Sequence, residues 1–321
     1  MTNKNLVRDE IWGRVIYNHE DDEFSAEVMN GTQPLPASPI GIGWIIIGGC
    51  NLKCLHCYGN IEELPSVVLS TNECIAIAER IIEARVMRVV ISGGEPLLRD
   101  DIFSIIQKLV EGGVSVVLGT NGSFIERENV ESLSICTRVE ISLDAATSEL
   151  NNKIRPSRQK RGNAWQETLQ AIKLCVKHNT NLRILTALNT WNQSQIVEMA
   201  AVLNDLGVKD WALSWTIPAG RARLIYDQFR PEKDMVEEGI EKARKAYPSM
   251  IIRYSHRESN FNRFYCLILP DGQIATEDIS HGGKLTFGSL REQPIASAWN
   301  SNNYDIPHHF EKWVGDRIKK I

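Results

Sequence analysis

Cys50, Cys54 and Cys57 stand in the run Cys50-Asn-Leu-Lys-Cys54-Leu-His-Cys57-Tyr58, directly after the apolar stretch 42–47. Thiolates are soft-metal ligands, and three of them leave a tetrahedral or four-iron site one ligand short. Three thiolates can hold three irons of a four-iron cluster while the fourth iron stays open. An open iron is a place for a reactant, whereas a closed four-cysteine site serves electron transfer or structure. A structural zinc completed by His56 or a distant residue is the competing reading, at a spacing unusual for zinc.

These residues must be positioned by something, and the rest of the chain shows a strand–helix rhythm. Apolar stretches at 42–47, 86–92, 114–118, 138–143, 182–188 and 211–217 read as six strands, the first as a strand buried on both faces. Helical patterns separate them. Ser70-Thr-Asn-Glu73 is a capping box, opening a helix whose apolar face is Ile75, Ile77, Ala78, Ile81 and Ile82. Asp100 or Asp101 caps a second helix that ends at Gly112-Gly113, and 126–133 reads as a short one. Asn163 caps a long helix through Leu169, Ile172 and Val176, and 193–206 closes at Gly207. Six such units imply a parallel sheet rolled by right-handed crossovers into a partial (β/α)6 TIM-like barrel, an α/β fold.

Chemistry in such a fold gathers just after the C-terminal ends of the strands. The three cysteines follow the first strand, Ser92-Gly93-Gly94-Glu95-Pro96 the second, and Gly119-Thr120-Asn121-Gly122 the third. The fourth carries Ser142 and Asp144, and the sixth is followed by Pro218-Ala219-Gly220-Arg221. Glycines let backbone approach a ligand closely, and Glu95 and Asp144 can accept hydrogen bonds from an amine or a ribose.

Composition narrows the class. With 321 residues, 43% hydrophobic content and a net charge of −4, the chain has ample core material and no general attraction to nucleic acid or anionic membranes. No apolar run approaches the roughly 20 residues of a membrane helix, and no export signal opens the chain. Seven cysteines with one tight cluster point to a reducing cytoplasm, not a disulfide framework. Cys74, Cys136 and Cys175 fall inside apolar patterns and read as small core residues. Residues 1–38 form an N-terminal arm too short for a domain, 39–225 the barrel, and 226–321 a small α+β extension. That extension comprises a charged helix at 231–246, short strands at 251–254, 265–269 and 273–276 with a Pro270-Asp-Gly272 turn, and a final helix from Ile295.

The cysteine run together with Gly93-Gly94-Glu95-Pro96 resembles the radical SAM superfamily, whose signatures are Cys-x3-Cys-x2-Cys and GGEP; the resemblance covers roughly 40–225. It implies that Cys50, Cys54 and Cys57 ligate one [4Fe-4S] cluster whose open iron takes the amino and carboxylate groups of S-adenosylmethionine. By the same resemblance His56 lies near the adenine, and Gly93, Gly94 and Glu95 hold the methionyl amino group. Ser142 and Asp144 lie near ribose and sulfonium, and Arg155 pairs with the carboxylate. The implied chemistry is one-electron cleavage of the sulfonium, fed by an external reductant, to a 5′-deoxyadenosyl radical that abstracts a substrate hydrogen.

The segment from Tyr265-Cys266 through Ala298-Trp299-Asn300 resembles a SPASM or twitch extension in which Thr276-Glu277 occupies the place of a ligand cysteine. One remaining thiolate cannot hold a second cluster. Cys266 is then a core relic, a hydrogen-atom donor, or a ligand completed by another chain. Such extensions accompany enzymes that modify ribosomally made peptides. The implied substrate is a precursor peptide, delivered by a separate small PqqD-like protein because 38 residues cannot form that domain. In size and in lacking a built-in leader-binding domain the chain resembles the spliceases, which implies backbone splicing with tyramine excision, with epimerisation and crosslinking beside it. A small-molecule radical SAM enzyme and a catalytically silent scaffold are the rivals.

Overall fold

The computed structural model of the chain describes residues 6–10, 13–18, 23–28, 38–57, 59, 64, 67–158, 162–255, 266–278, 283–300 and 319–320. Strands β1 (Leu6–Glu10), β2 (Gly13–Asn18) and β3 (Glu23–Val28) form an antiparallel meander near the start of the chain. The strand–helix series follows as β4 (Gly41–Ile45), α1 (Thr71–Glu83), β5 (Arg88–Ser92), α2 (Ile102–Glu111), β6 (Ser115–Thr120) and β7 (Arg138–Ser142). It continues through α3 (Ser148–Ile154), α4 (Ala164–Lys177), β8 (Leu182–Leu188), α5 (Ile196–Asp205) and β9 (Asp210–Trp215). The last part comprises α6 (Tyr226–Phe229), α7 (Lys233–Ala246), β10 (Ile251–Ser255), β11 (Cys266–Ile268), β12 (Gln273–Asp278), β13 (Gly283–Ser289), α8 (Ile295–Asn300) and the two-residue β14 (Lys319–Lys320).

The six expected strands pair in parallel in chain order, β4 through β9. Alternation along each strand gives the sheet two different faces. Ile42 and Trp44, Val89 and Ile91, Val116 and Leu118, Val139 and Ile141, and Ile184 and Leu188 are buried in one continuous core. The helices α1, α2, α4 and α5 contribute Ile77, Ile81, Ile105, Ile106, Ile172 and Leu203 to it. The opposite face carries Gly43, Val90, Gly119, Glu140, Ser142, Ala187 and Ser214, which are only partly buried. The first strand still buries residues on both faces, since Ile45 on the side of Gly43 is 7% exposed and packs with Leu267, Leu269 and Ala275. The barrel is partial, and its inner wall mixes these partly buried positions with the buried Ile45 and Val117.

The C-terminal strands do not build a sheet of their own. β10 adds to the β9 edge in parallel, and β11 adds to the β4 edge in parallel and starts the antiparallel ladder β11-β12-β13. An open sheet has two edges of unpaired backbone, and the extension satisfies both. The Pro270-Asp271-Gly272 turn lies between β11 and β12, with Gly272 at φ 83°, where a glycine is favoured. The N-terminal strands join β14 in a second sheet, anchored to the barrel by the buried Arg8, which donates to the carbonyls of Ser38, Pro39 and Arg85.

Three local expectations differ from the structure. The region around 126–133 is a 3-10 helix at Val130–Ile135, not an α-helix. Asp101 occupies the N-cap position of α2 without capping it, because its carboxylate is taken by Arg99 at 2.7 and 2.9 Å and by Thr71 Oγ1 at 2.6 Å. Helix α3 was not expected at all, and its sequence cue is Thr147, whose hydroxyl accepts from the Leu150 N–H. The expected strand residue Tyr265 lies outside the described residues.

Asn163 behaves as expected and does more. Its side-chain oxygen caps α4 by accepting from the Gln166 N–H and also accepts from Asn152 and Ser148 of α3. Asn163→Ala should lower the unfolding free energy by about 1–2 kcal/mol, at the upper end for a lost cap. The expected reading is a lower denaturant midpoint at unchanged m-value.

Candidate functional site

The three cysteines sit on the loop after β4, and that loop is fastened to the segment following α3. Lys53 N–H donates to the Pro156 carbonyl at 2.8 Å, Leu55 N–H to Ile154 at 2.9 Å, and Arg158 N–H to Asn51 at 2.8 Å. On the other side Arg221 N–H donates to the Cys57 carbonyl at 3.0 Å. Backbone from two separate places in the chain therefore fixes the loop. Burial raises the Cys50 thiol, and it pushes Cys54 up to about 12 even though Arg155 opposes the shift. Both are thiols at neutral pH until a metal displaces their protons.

The Gly93-Gly94-Glu95 segment packs directly on that loop. Gly94 N–H donates to the Ile47 carbonyl and Glu95 N–H to the Gly49 carbonyl, each at 2.8 Å. A Cβ on Gly93 would lie 2.5 Å from the Ile47 oxygen, and one on Gly94 would collide with the Gly49 carbonyl at 1.8 Å. The chain's own backbone thus demands both glycines. Glu95 is fully buried and accepts from Leu97 N–H at 3.1 Å, Thr120 Oγ1 at 2.7 Å and Asn121 N–H at 2.8 Å. Burial pushes its carboxyl above the usual carboxylate range, and those three donors pull the other way.

Asp144, Arg155 and His56 form one buried group. Asp144 Oδ2 accepts from Arg155 Nη1 at 2.9 Å and lies 3.3 Å from His56 Nε2, while Oδ1 accepts from the Ala187 N–H at 2.7 Å. The Asp144 N–H donates to Asn151 Oδ1, and its carbonyl accepts from Asn192 Nδ2. Desolvation lowers the pKa of His56, so the ring is neutral. Two buried nitrogens of this group, His56 Nδ1 and Arg155 Nε, have no hydrogen-bond partner among the described residues. A buried polar atom left this way is costly unless something else meets it. Ser142 ends β7 on the same inner face, half-buried.

The structure therefore brings together all ten of the residues singled out in the sequence, on the ends of β4, β5 and β7 and behind α3. It adds Asn151 and Asn192, for which the sequence offered no cue, and gives Thr120, Asn121 and Arg221 of the strand-end motifs the part of securing the site. Cys266 lies elsewhere, 2% exposed in the main apolar core, with burial holding its thiol well above the ordinary range. The side chains of Thr276 and Glu277 lie outside the described residues.

Among the described residues, no three His, Cys, Asp or Glu side chains converge on one point as a single ion requires. The ligands of an iron–sulfur cluster need not converge, because each binds a different iron. The donor set fits such a group: three thiols, N–H donation to Cys50 Sγ from Leu52 at 3.4 Å, and a buried guanidinium beside them.

The buried ion pair is the part of this site whose removal has a measurable cost. Asp144→Asn or Arg155→Met alone should each destabilise by about 3–5 kcal/mol, because each leaves the other group buried without its partner. The double variant should cost clearly less than the sum of the two, read from denaturant midpoints in a double-mutant cycle.

The sequence profile of the radical SAM superfamily matches residues 44–203. An AdoMet-dependent heme synthase from Methanosarcina barkeri is 30% identical over 187 residues, 57% of this chain and 52% of that protein. The mycofactocin maturase MftC of Mycobacterium ulcerans is 28% identical over 197 residues, 60% of this chain and 52% of that one. The chain thus spans about half the length of these curated relatives. The crystal structure of Streptococcus suis SuiB bound to precursor peptide SuiA superposes with a TM-score of 0.73 at 14% identity, covering 94% of this chain and 88% of that one. With the cysteine loop and Gly93-Gly94-Glu95-Pro96 seated at adjoining strand ends of a partial barrel inside the matched region, the chain belongs to the radical SAM superfamily.

Proposed function

We propose that the chain is an enzyme that cleaves S-adenosylmethionine reductively and abstracts hydrogen from a ribosomally synthesised peptide. The observation that carries the first half is the three-thiol loop held against a buried Arg155–Asp144–His56 group with two unmet nitrogens. In this reading Cys50, Cys54 and Cys57 hold a [4Fe-4S] cluster, which with S-adenosylmethionine supplies one-electron cleavage of a carbon–sulfur bond and a carbon radical. Arg155 offers its unpartnered Nε to the methionine carboxylate, and His56 offers Nδ1 toward the adenine. Ser142 faces the inner wall near the ribose. Glu95 orients the Gly93-Gly94 backbone that approaches the amino group. Asp144 keeps His56 and Arg155 in place.

The peptide half rests on the maturase MftC among the relatives and on a fold shared with a structure bound to its precursor peptide. We assign 39–225 to the barrel, 1–38 to an arm, and 226–321 to a SPASM-like extension without an auxiliary cluster. A PqqD-like protein would present the peptide, an external reductant would supply the electron, and the cytoplasm would keep the thiols reduced. Tyramine excision is the outcome we favour over epimerisation and crosslinking. The heme synthase relative supports a second reading, a small-molecule substrate of the same chemistry.

Anaerobic reconstitution with iron and sulfide, followed by dithionite and S-adenosylmethionine, should yield 5′-deoxyadenosine, and Cys54→Ala should abolish it. Failure of the unaltered protein to form either the cluster absorbance or deoxyadenosine would return it to a silent scaffold. With a candidate precursor peptide, mass spectrometry separates the outcomes. Splicing removes a tyramine unit, crosslinking removes two hydrogens, and epimerisation leaves the mass unchanged but takes up deuterium from heavy water. Deoxyadenosine formation without any peptide change would favour the small-molecule reading.

A further inference from the structure

Asn121, just beyond β6, is 7% exposed, and all four of its polar groups are engaged. Its backbone N–H donates to Glu95 Oε2 at 2.8 Å, and its carbonyl accepts from Thr168 Oγ1 at 3.0 Å. Its side-chain Oδ1 accepts from the Ser123 N–H at 2.9 Å. That last bond settles the orientation of the amide, since only an oxygen can accept there. The Nδ2 group must then face the cysteine loop, where it donates to Asn51 Oδ1 at 2.7 Å and lies 3.9 Å from Cys50 Sγ. The Leu52 N–H approaches the same sulfur at 3.4 Å. Cys50 thus has N–H groups from two parts of the chain directed at it. Asn51 Oδ1, itself 3.9 Å from the sulfur, competes for the Asn121 amide.

Resting on the cluster assignment above, we infer that Asn121 is a positioning residue that aims an N–H at the Cys50 thiolate and so raises the reduction potential of the cluster. Reduction adds negative charge that spreads onto the ligand sulfurs, and a fixed N–H dipole stabilises the more negative state. Glu95 sets the Asn121 backbone and Ser123 sets its amide, so the donor is held in place before any ligand arrives.

The test is an EPR-monitored redox titration of the anaerobically reconstituted full chain. Asn121→Asp keeps the acceptor for Ser123 and replaces the donor by an acceptor, and Asn121→Ala removes both. Each should lower the reduced-to-oxidised ratio at fixed potential by about tenfold, a shift of about 59 mV for a one-electron couple. Asn51→Ala removes the competing acceptor and should shift the potential the other way. Equal potentials in the unaltered protein and the Asn121 variants would overturn the inference. Should those variants fail to hold a cluster, an unchanged or lowered potential in Asn51→Ala would overturn it alone. Failure of the unaltered protein itself to assemble a cluster would overturn the assignment on which the inference rests, and the inference with it.

Discussion

A single buried carboxylate holds the working end of this barrel together. Glu95 leaves β5, hydrogen-bonds through its own N–H to the loop after β4, and accepts three donors that include the end of β6. Three consecutive strand ends are thereby joined at one residue with no exposure to water. Removing such an acceptor would strand its donors in a low-dielectric interior, which is worse than never having buried them. The two glycines before it are required for the same reason, since any side chain there would push the cysteine loop off β5.

Asp144 plays the matching part on the other side. It neutralises a buried arginine, steadies a neutral imidazole, and bonds β7 to β8 through the Ala187 N–H. The described groups satisfy the carboxylate while leaving Arg155 Nε and His56 Nδ1 without a partner among them. Buried polar atoms are nearly always paired, and two of those left unpaired among the described residues lie together beside the three thiols. The positive charge of Arg155 also favours thiolate at Cys54 against the burial that opposes it.

Much of this was legible in the residues, for identifiable reasons. The six strands announce themselves because their outward faces are apolar and several of their ends carry glycine, as at Gly93 and Gly119. Ser70 and Asn163 are readable as caps because the bonds they make are local. Asp101 misled for the complementary reason: Arg99 and Thr71 outbid the helix terminus for its carboxylate, and Thr71 is 30 positions away. The docking of β10 and β11 on opposite sheet edges was hidden because edge pairing uses backbone groups that every residue possesses. Asn121 was visible as part of a strand-end motif, but its direction depends on Ser123 and Glu95 together, and no spacing rule encodes that.

The pairing of β11 with β4 bears on how the molecule comes into being. β4 carries the cysteine loop and has β5 on one side, a neighbour made soon after it. Its other neighbour, Cys266–Ile268, leaves the ribosome only after the whole strand–helix series. During synthesis the strand that carries the cysteine loop therefore keeps one flank unzipped until nearly every other barrel strand exists. Contacts separated this far along a chain close slowly. The interval leaves the strand behind the thiol loop with one unpaired edge, and its end pairs that strand on both sides.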